Sequence, residues 1–251
     1  LANLGRVLGL AAMFRAIDLQ GTVVKREGPL LLLVTSIIIV MALDGLLEGS
    51  PARISHSDSL VLLLLFGIFM YITAQDMLMV RQPDPLISDM AHSPMIRRAQ
   101  TGKRHWLLLV AGFGLLFAGG ELTVRNSVTL ATELGVSTAV IGLFVVAIGT
   151  SMPELVTSVI AAMRRESDLA LGNIVGSNLF NSLIVLPAGG LAGTIMVPNG
   201  GVIDLAFSWL LAAILIPVFF LGPARLTRTM GFLLVLSYVA YAVLRLEFWP
   251  A

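Results

Sequence analysis

The densest polar cluster within an apolar stretch of this chain is Ala147-Ile148-Gly149-Thr150-Ser151-Met152-Pro153-Glu154, followed by Thr157 and Ser158. Pro153 has no N–H to donate, and its ring crowds the carbonyl four residues back, at Gly149. A helix through this stretch is therefore expected to break or kink and to release backbone oxygens. Thr150 and Glu154 are four apart and Ser151 and Glu154 three apart, so their oxygens converge on one helix face around a carboxylate. A second cluster, Gly172-Asn173-Ile174-Val175-Gly176-Ser177-Asn178-Leu179-Phe180-Asn181, uses the i, i+4 spacing again in Ser177 and Asn181. Its Gly172 and Gly176 are expected to let this helix approach a neighbour closely. Together the clusters offer hydroxyl, amide, carbonyl and carboxylate oxygens and no nitrogen or sulfur donor. That set suits a hard cation, Na⁺ or Ca²⁺, better than zinc or copper.

These residues do not carry equal weight. An ionisable group deep in an apolar span costs about 2.5 to 3.5 kcal/mol on insertion scales and marks an ion pathway, which singles out Glu154. Thr157, Ser158 and Asn173 are expected to bond their own backbone or a neighbouring helix, the ordinary use of such groups in apolar spans. Glu121 and Asp44 fall near span ends, where interfacial water solvates them, and His56, His92 and His105 have no ligand-like spacing. No nucleophile with its base and no phosphate-binding glycine loop is present, so the reading is not that of an enzyme, and no cofactor is implied.

The elements that must position these groups are membrane helices. Hydrophobic residues make up 57% of the 251 and charged residues 12%, with a mean hydropathy of +0.93. That composition calls for a lipid bilayer as solvent. Spans are expected at about 1 to 14, 30 to 47, 59 to 79, 105 to 124, 137 to 162, 169 to 194, 203 to 221 and 230 to 246, from hydropathy and breaker residues. Arg15, Lys25, Arg26, Arg81, Arg97, Arg98, Lys103, Arg104, Arg164, Arg165, Arg225 and Arg228 then fall on one set of alternate loops. Arg53, Arg125 and Arg245 fall on the other, and Arg6 lies within the first span. By the positive-inside rule, loop 81–104 is cytoplasmic and the C-terminus outside. The basic residues form no stripe that would bind nucleic acid, and the absence of cysteine excludes thiolate chemistry and disulfides.

Loop 81–104, with Pro83, Pro85 and Pro94, reads as a hinge between a membrane region at 1–80 and a second at 105–251. The regions echo each other. Pro51-Ala52-Arg53-Ile54 precedes one span as Pro223-Ala224-Arg225-Leu226 precedes another, and Leu1, Asn3, Val7 and Leu8 align with Leu179, Asn181, Val185 and Leu186. Five spans per repeat would place equivalent loops on opposite faces. On that logic the chain starts inside its first repeat, and about 75 residues are expected upstream of Leu1.

With these residues in view, the stretch from Glu121 to Leu186 resembles the second α-repeat of the calcium/cation antiporter superfamily, in particular its bacterial Na⁺/Ca²⁺ exchanger branch. Leu134-Gly135-Val136-Ser137, Val140-Ile141-Gly142-Leu143, Gly149 to Glu154 and Gly172 to Asn181 carry the resemblance. Ala42-Leu43-Asp44-Gly45 looks like the family's middle region, and Leu1-Ala2-Asn3-Leu4-Gly5 like the end of its first α-repeat motif. The resemblance implies an all-α polytopic membrane protein with two inverted five-helix repeats, of whose ten helices about seven to eight are present. It implies calcium/sodium antiport by alternating access, and the lack of cysteine and organelle signals with a short hinge favours a bacterial inner membrane. The cation ligands it implies are the Ala147 carbonyl, Thr150, Ser151, Glu154, Ser177 and Asn181, with Asn3 from the first half. Ca²⁺ and Na⁺ would compete for Glu154.

Three departures stand out. Asn181 occupies a position where potassium-dependent relatives have Asp, so no potassium requirement is expected. Pro187 replaces a usual glycine and is expected to bend its span. The first motif, whose carboxylate would pair with Glu154, is absent from the 251 residues, and one carboxylate with neutral oxygens is a poor calcium site. The chain as given is accordingly expected not to transport, and its parent protein to do so. Two readings stay open beside Ca²⁺/Na⁺ exchange. One is calcium/proton exchange, with Glu154 cycling between protonated and ion-bound forms. The other is a non-transporting membrane scaffold, if the chain is complete.

Overall fold

The structure, a computed structural model, describes residues 1–19, 22–44, 49, 51–79, 103–133, 147–220 and 225–248. It is helical apart from four two-residue strands. In chain order these are a π-helical segment Asn3–Val7, α1 (Leu8–Phe14), β1 (Ile17–Asp18), α2 (Thr22–Ala42), β2 (Arg53–Ile54), α3 (His56–Met79) and α4 (Lys103–Glu133). Then come α5 (Ala147–Thr150), α6 (Met152–Met163), α7 (Ser167–Phe180), a second π-helical segment Asn181–Val185, and α8 (Leu186–Ala192). The chain continues through β3 (Ile195–Met196), α9 (Gly201–Phe220), β4 (Arg225–Leu226) and α10 (Arg228–Phe248). Among the described residues, four stretches are long and apolar enough to cross a membrane: His56–Gln75, Ser167–Ala192, Gly201–Val218 and Arg228–Arg245.

The repeat suggested by short sequence matches is present element for element. Each half carries a π-helical segment opening on an asparagine, and each is closed by a bond across it, from the Leu8 N–H to the Asn3 carbonyl and from the Leu186 N–H to the Asn181 carbonyl. A seven-residue helix follows in both halves, and both helices stop at an extended residue, Arg15 in one and Gly193 in the other. A short strand, a long helix, a second short strand and another long helix complete each half.

The strand pairing shows how the halves are related. Strand β1 pairs antiparallel with β4 (Ile17 opposite Leu226), and β2 pairs antiparallel with β3 (Ile54 opposite Ile195). Because β1 and β2 lie at opposite ends of α2, and β3 and β4 at opposite ends of α9, these pairings make α2 and α9 antiparallel. Equivalent positions of the halves therefore sit on opposite faces, which is the inverted topology. The β1–β4 face also gathers cations: Arg225 pairs with Asp18 at 3.2 Å, Arg15 donates to the Met163 carbonyl, and Arg228 donates to the Phe14 carbonyl.

Helix packing obeys the same exchange. Helix α1 packs on α10, and its counterpart α8 packs on α3. At the first crossing, a Cβ on Gly231 would lie 2.6 Å from the Gly9 carbonyl oxygen and 2.8 Å from the Ala12 Cβ. At the second, a Cβ on Gly190 would run into the Ser59 hydroxyl. Ala12 with Gly231 and Gly190 with Ser59 are equivalent pairs with the small residue moved to the other partner. Close backbone approach is what drives helix association in lipid, where no hydrophobic effect operates between helices.

Several expectations need correction. Helix α2 starts at Thr22, not near residue 30, and carries Pro29 inside it. Helix α4 runs on to Glu133, not 124, with Asn126 and Thr129 in its polar end donating to the Leu122 and Arg125 carbonyls of the same helix. Hydropathy locates the apolar part of a helix rather than its ends. Gly176 is not at a close approach among the described residues: a Cβ there would meet nothing within 4 Å. The irregular turn before Pro187 is common to both halves, since the first has it with Gly9 in the equivalent position, so proline is not its cause. Most of the expected hinge and the Leu134–Leu143 motif residues lie outside the described residues, while Lys103 and Arg104 begin α4.

Candidate ion-binding site

The helix break falls at Ser151, whose φ of −91° and ψ of 7° separate α5 from α6. Pro153 is then the second residue of α6, a position where a missing N–H costs no helical bond. Glu154 follows in the first turn, where the positive end of the helix dipole favours a carboxylate. Helix α6 ends at Met163, whose carbonyl accepts from Arg15 on the β1–β4 face, and at 1.5 Å per residue Glu154 stands roughly 14 Å from that end.

Among the described residues, two acceptor oxygens in this region are buried without a hydrogen-bond partner: Glu154 Oε2 and Asn3 Oδ1. Asn3 is 5% exposed and opens the first π-helical segment. A buried carboxylate oxygen that accepts nothing is costly unless a cation satisfies it. The π-helical segments that carry Asn3 and Asn181 are a backbone form that recurs at functional sites.

Two cavities meet at Asn181. One, of about 330 Å³, is lined by Glu154, Gly172, Asn173, Gly176, Ser177, Phe180 and Asn181. The other, of about 340 Å³, includes Asn3, Thr150, Ser151, Asn178, Asn181 and Ser182, together with Thr35 of α2 and Ser208 of α9. The structure thus places Glu154, Ser177 and Asn181 around the first cavity and Asn3, Thr150, Ser151 and Asn181 around the second. Ala147 opens α5. Gly176 lines the first cavity.

Hydrogen bonds decide which oxygens are left for an ion. Ser177 Oγ donates to the Asn173 carbonyl at 2.7 Å, which directs its lone pairs away from its own backbone. Thr157 donates to the Pro153 carbonyl, and Asn178 Nδ2 to the Ile174 carbonyl, so both bond their own helix. Asn173 Nδ2 reaches across to α6, donating to the Glu154 carbonyl at 3.1 Å and to Ser158 Oγ at 2.9 Å. Glu121 lies outside this site, its side chain 61% exposed and 3.9 Å from Arg125. Among the described residues no three His, Cys, Asp or Glu are grouped closely enough to hold a metal ion, and Glu154 is the one carboxylate lining the two cavities.

Thr35 and Ser208 went unnoticed in the sequence. Each sits in an apolar helix, and the Thr35 hydroxyl donates to its own Leu31 carbonyl, the commonest fate of a threonine there. Only the crossing of α2 and α9 brings them to one cavity.

The family model described as sodium/calcium exchanger protein matches residues 1–75 and 104–247. CaxA of Alkalimonas amylolytica, described as a candidate antiporter, is 33% identical over 97% of this chain and 75% of its own length. The sodium/calcium exchanger MaX1 of Methanosarcina acetivorans is 46% identical over 77 residues, 31% of this chain and 22% of its own. A solved structure of the sodium-calcium exchanger NCX_Mj, soaked without Na⁺ and Ca²⁺, superposes with a TM-score of 0.70 at 26% identity. That match covers 96% of this chain and 72% of the other. With both π-helical asparagines, the Ser151 break and the inverted halves in place, the chain belongs to the sodium/calcium exchanger family of membrane proteins.

Proposed function

We propose that this protein exchanges Ca²⁺ for Na⁺ across a bacterial inner membrane, by alternating access at an oxygen-ligand site near mid-membrane. The observation that carries the reading is the buried, unpartnered Glu154 Oε2 at the broken helix. The proposed ligands are the Ala147 carbonyl, Thr150, Ser151, Glu154, Ser177 and Asn181, with Asn3 from the other half. Oxygen-only ligands are what hard cations such as Ca²⁺ and Na⁺ take, and Glu154 is the one carboxylate among them. Exchange follows from competition: both ions need Glu154, and a site emptied of cations leaves a bare carboxylate in the membrane, which is costly to reorient. The β1–β4 face, with Arg15, Arg225 and Arg228, is the proposed cytoplasmic face. The hinge at 81–104 would join regions 1–80 and 105–251.

The test is radioactive Ca²⁺ uptake by Na⁺-loaded membrane vesicles from cells producing the native gene product. Glu154→Gln keeps the side chain's size and removes the charge, and it is expected to abolish uptake. Undiminished uptake by Glu154→Gln would sink the proposal. Uptake driven by a pH gradient without sodium would replace Na⁺ by H⁺ as the counter-ion.

A further inference from the structure

The proposed ligands come from two helices, α6 and α7, and one residue ties them together. Asn173 Nδ2 donates to the Glu154 carbonyl at 3.1 Å and to Ser158 Oγ at 2.9 Å, while the Asn173 backbone carbonyl accepts the Ser177 hydroxyl at 2.7 Å. Ser158 is fully buried between the helices. Both amide hydrogens of Asn173 are thus directed at α6, and the fixed hydroxyl of Ser177 is one turn along α7.

We infer that Asn173 is a positioning residue for ion coordination: its side-chain amide locks the backbone at Glu154 to the helix that carries Ser177 and Asn181, so that ligands from two helices keep one geometry as the site is loaded and reoriented. This rests on the proposed role of Glu154. Asn173 works as a donor to protein oxygens, not as a cation ligand, and that distinction makes it testable. An aspartate at this position has the same shape but cannot donate. It would turn a carboxylate toward the Glu154 carbonyl, and the two would repel. A ligand, by contrast, would bind Ca²⁺ as well or better after gaining charge.

The experiment measures the half-saturating Ca²⁺ concentration and the maximal rate of Na⁺-driven Ca²⁺ uptake, with the melting temperature, for Asn173→Ala, Asn173→Asp and Ser158→Ala of the native gene product. Loss of two partly buried hydrogen bonds is expected to raise half-saturation about tenfold in Asn173→Ala. The maximal rate is expected to stay within about threefold of wild type, since the ligands themselves remain. Asn173→Asp is expected to be no better than Asn173→Ala. Ser158→Ala keeps the bond to Glu154 and is expected to raise half-saturation about threefold. It carries the test should Asn173→Ala fail to fold. Unchanged half-saturation in the folded variants, or tighter Ca²⁺ use by Asn173→Asp, would overturn the inference. If Glu154→Gln abolishes uptake while these variants behave as wild type, this inference alone fails. If Glu154→Gln transports normally, the functional reading beneath it fails as well.

Discussion

Replacing Arg245 by methionine tests whether the β2–β3 face is held by a buried ion pair. Arg245 is 2% exposed, and its Nε lies 3.1 Å from Asp204 Oδ1 and 3.4 Å from Oδ2. Its Nη2 donates to the Asn199 carbonyl, Tyr241 donates to the same Asp204, and the Tyr241 ring stacks on Phe207 at 4.1 Å. Methionine preserves the apolar stem but leaves Asp204, with 13% of its side chain exposed, facing one donor instead of two residues' worth. Removing one partner of a buried pair costs about 3 to 5 kcal/mol. For a chain of this length each kcal/mol shifts the melting temperature by about 2 to 4 °C, so a drop of about 6 to 20 °C is expected. Unfolding of the detergent-solubilised protein can be followed by tryptophan fluorescence, with Trp209 on the same helix as Asp204. The double variant Asp204→Leu with Arg245→Met removes both charges and is expected to recover most of the loss, because no uncompensated charge is left buried. A single variant that melts within about 2 °C of wild type would show that water screens the pair as it does at an ordinary surface.

Two further substitutions separate packing from site. Gly231→Ala puts a methyl group within 2.6 Å of the Gly9 carbonyl oxygen, which backbone cannot yield. It is expected to lose about 1 to 3 kcal/mol by overpacking, read as a lower melting temperature, and unaltered melting would contradict the α1–α10 crossing. Among the described residues nothing stands within 4 Å of the methyl group that Gly176→Ala adds, so thermal stability is expected to hold or rise slightly with the better helix propensity. The same methyl group enters the cavity beside Glu154 and is expected to change half-saturating Ca²⁺ at least twofold, whereas a fall in melting temperature would place a helix against it.

The equivalent crossings also explain why small residues need not occupy the same place in both halves. What the geometry requires is one small partner where two backbones meet. That requirement is met by Gly231 against Ala12 in one crossing and by Gly190 against Ser59 in the other. The requirement falls on the pair rather than on either position, so the repeat is plain in the structure and faint in the sequence.

Local chemistry was legible in the sequence. Apolar runs of sufficient length demand lipid, Pro153 without its N–H demands a helix break, and Glu154 within an apolar span demands a cation or a proton, all without reference to any distant residue. The order of the elements and their inverted halves could be anticipated from alternating loop charge and two short matches. Long-range pairing was decided by the tertiary structure alone. It alone set Ile17 against Leu226, brought Thr35 and Ser208 to one cavity, joined Arg245 to Asp204, and gave Asn173 its two acceptors on α6. The physical reason is that a hydroxyl, an amide or a glycine can be satisfied equally well by its own helix, by another helix or by a cavity. Composition and spacing do not distinguish these fates, because only the packed arrangement determines which partner lies within bonding distance.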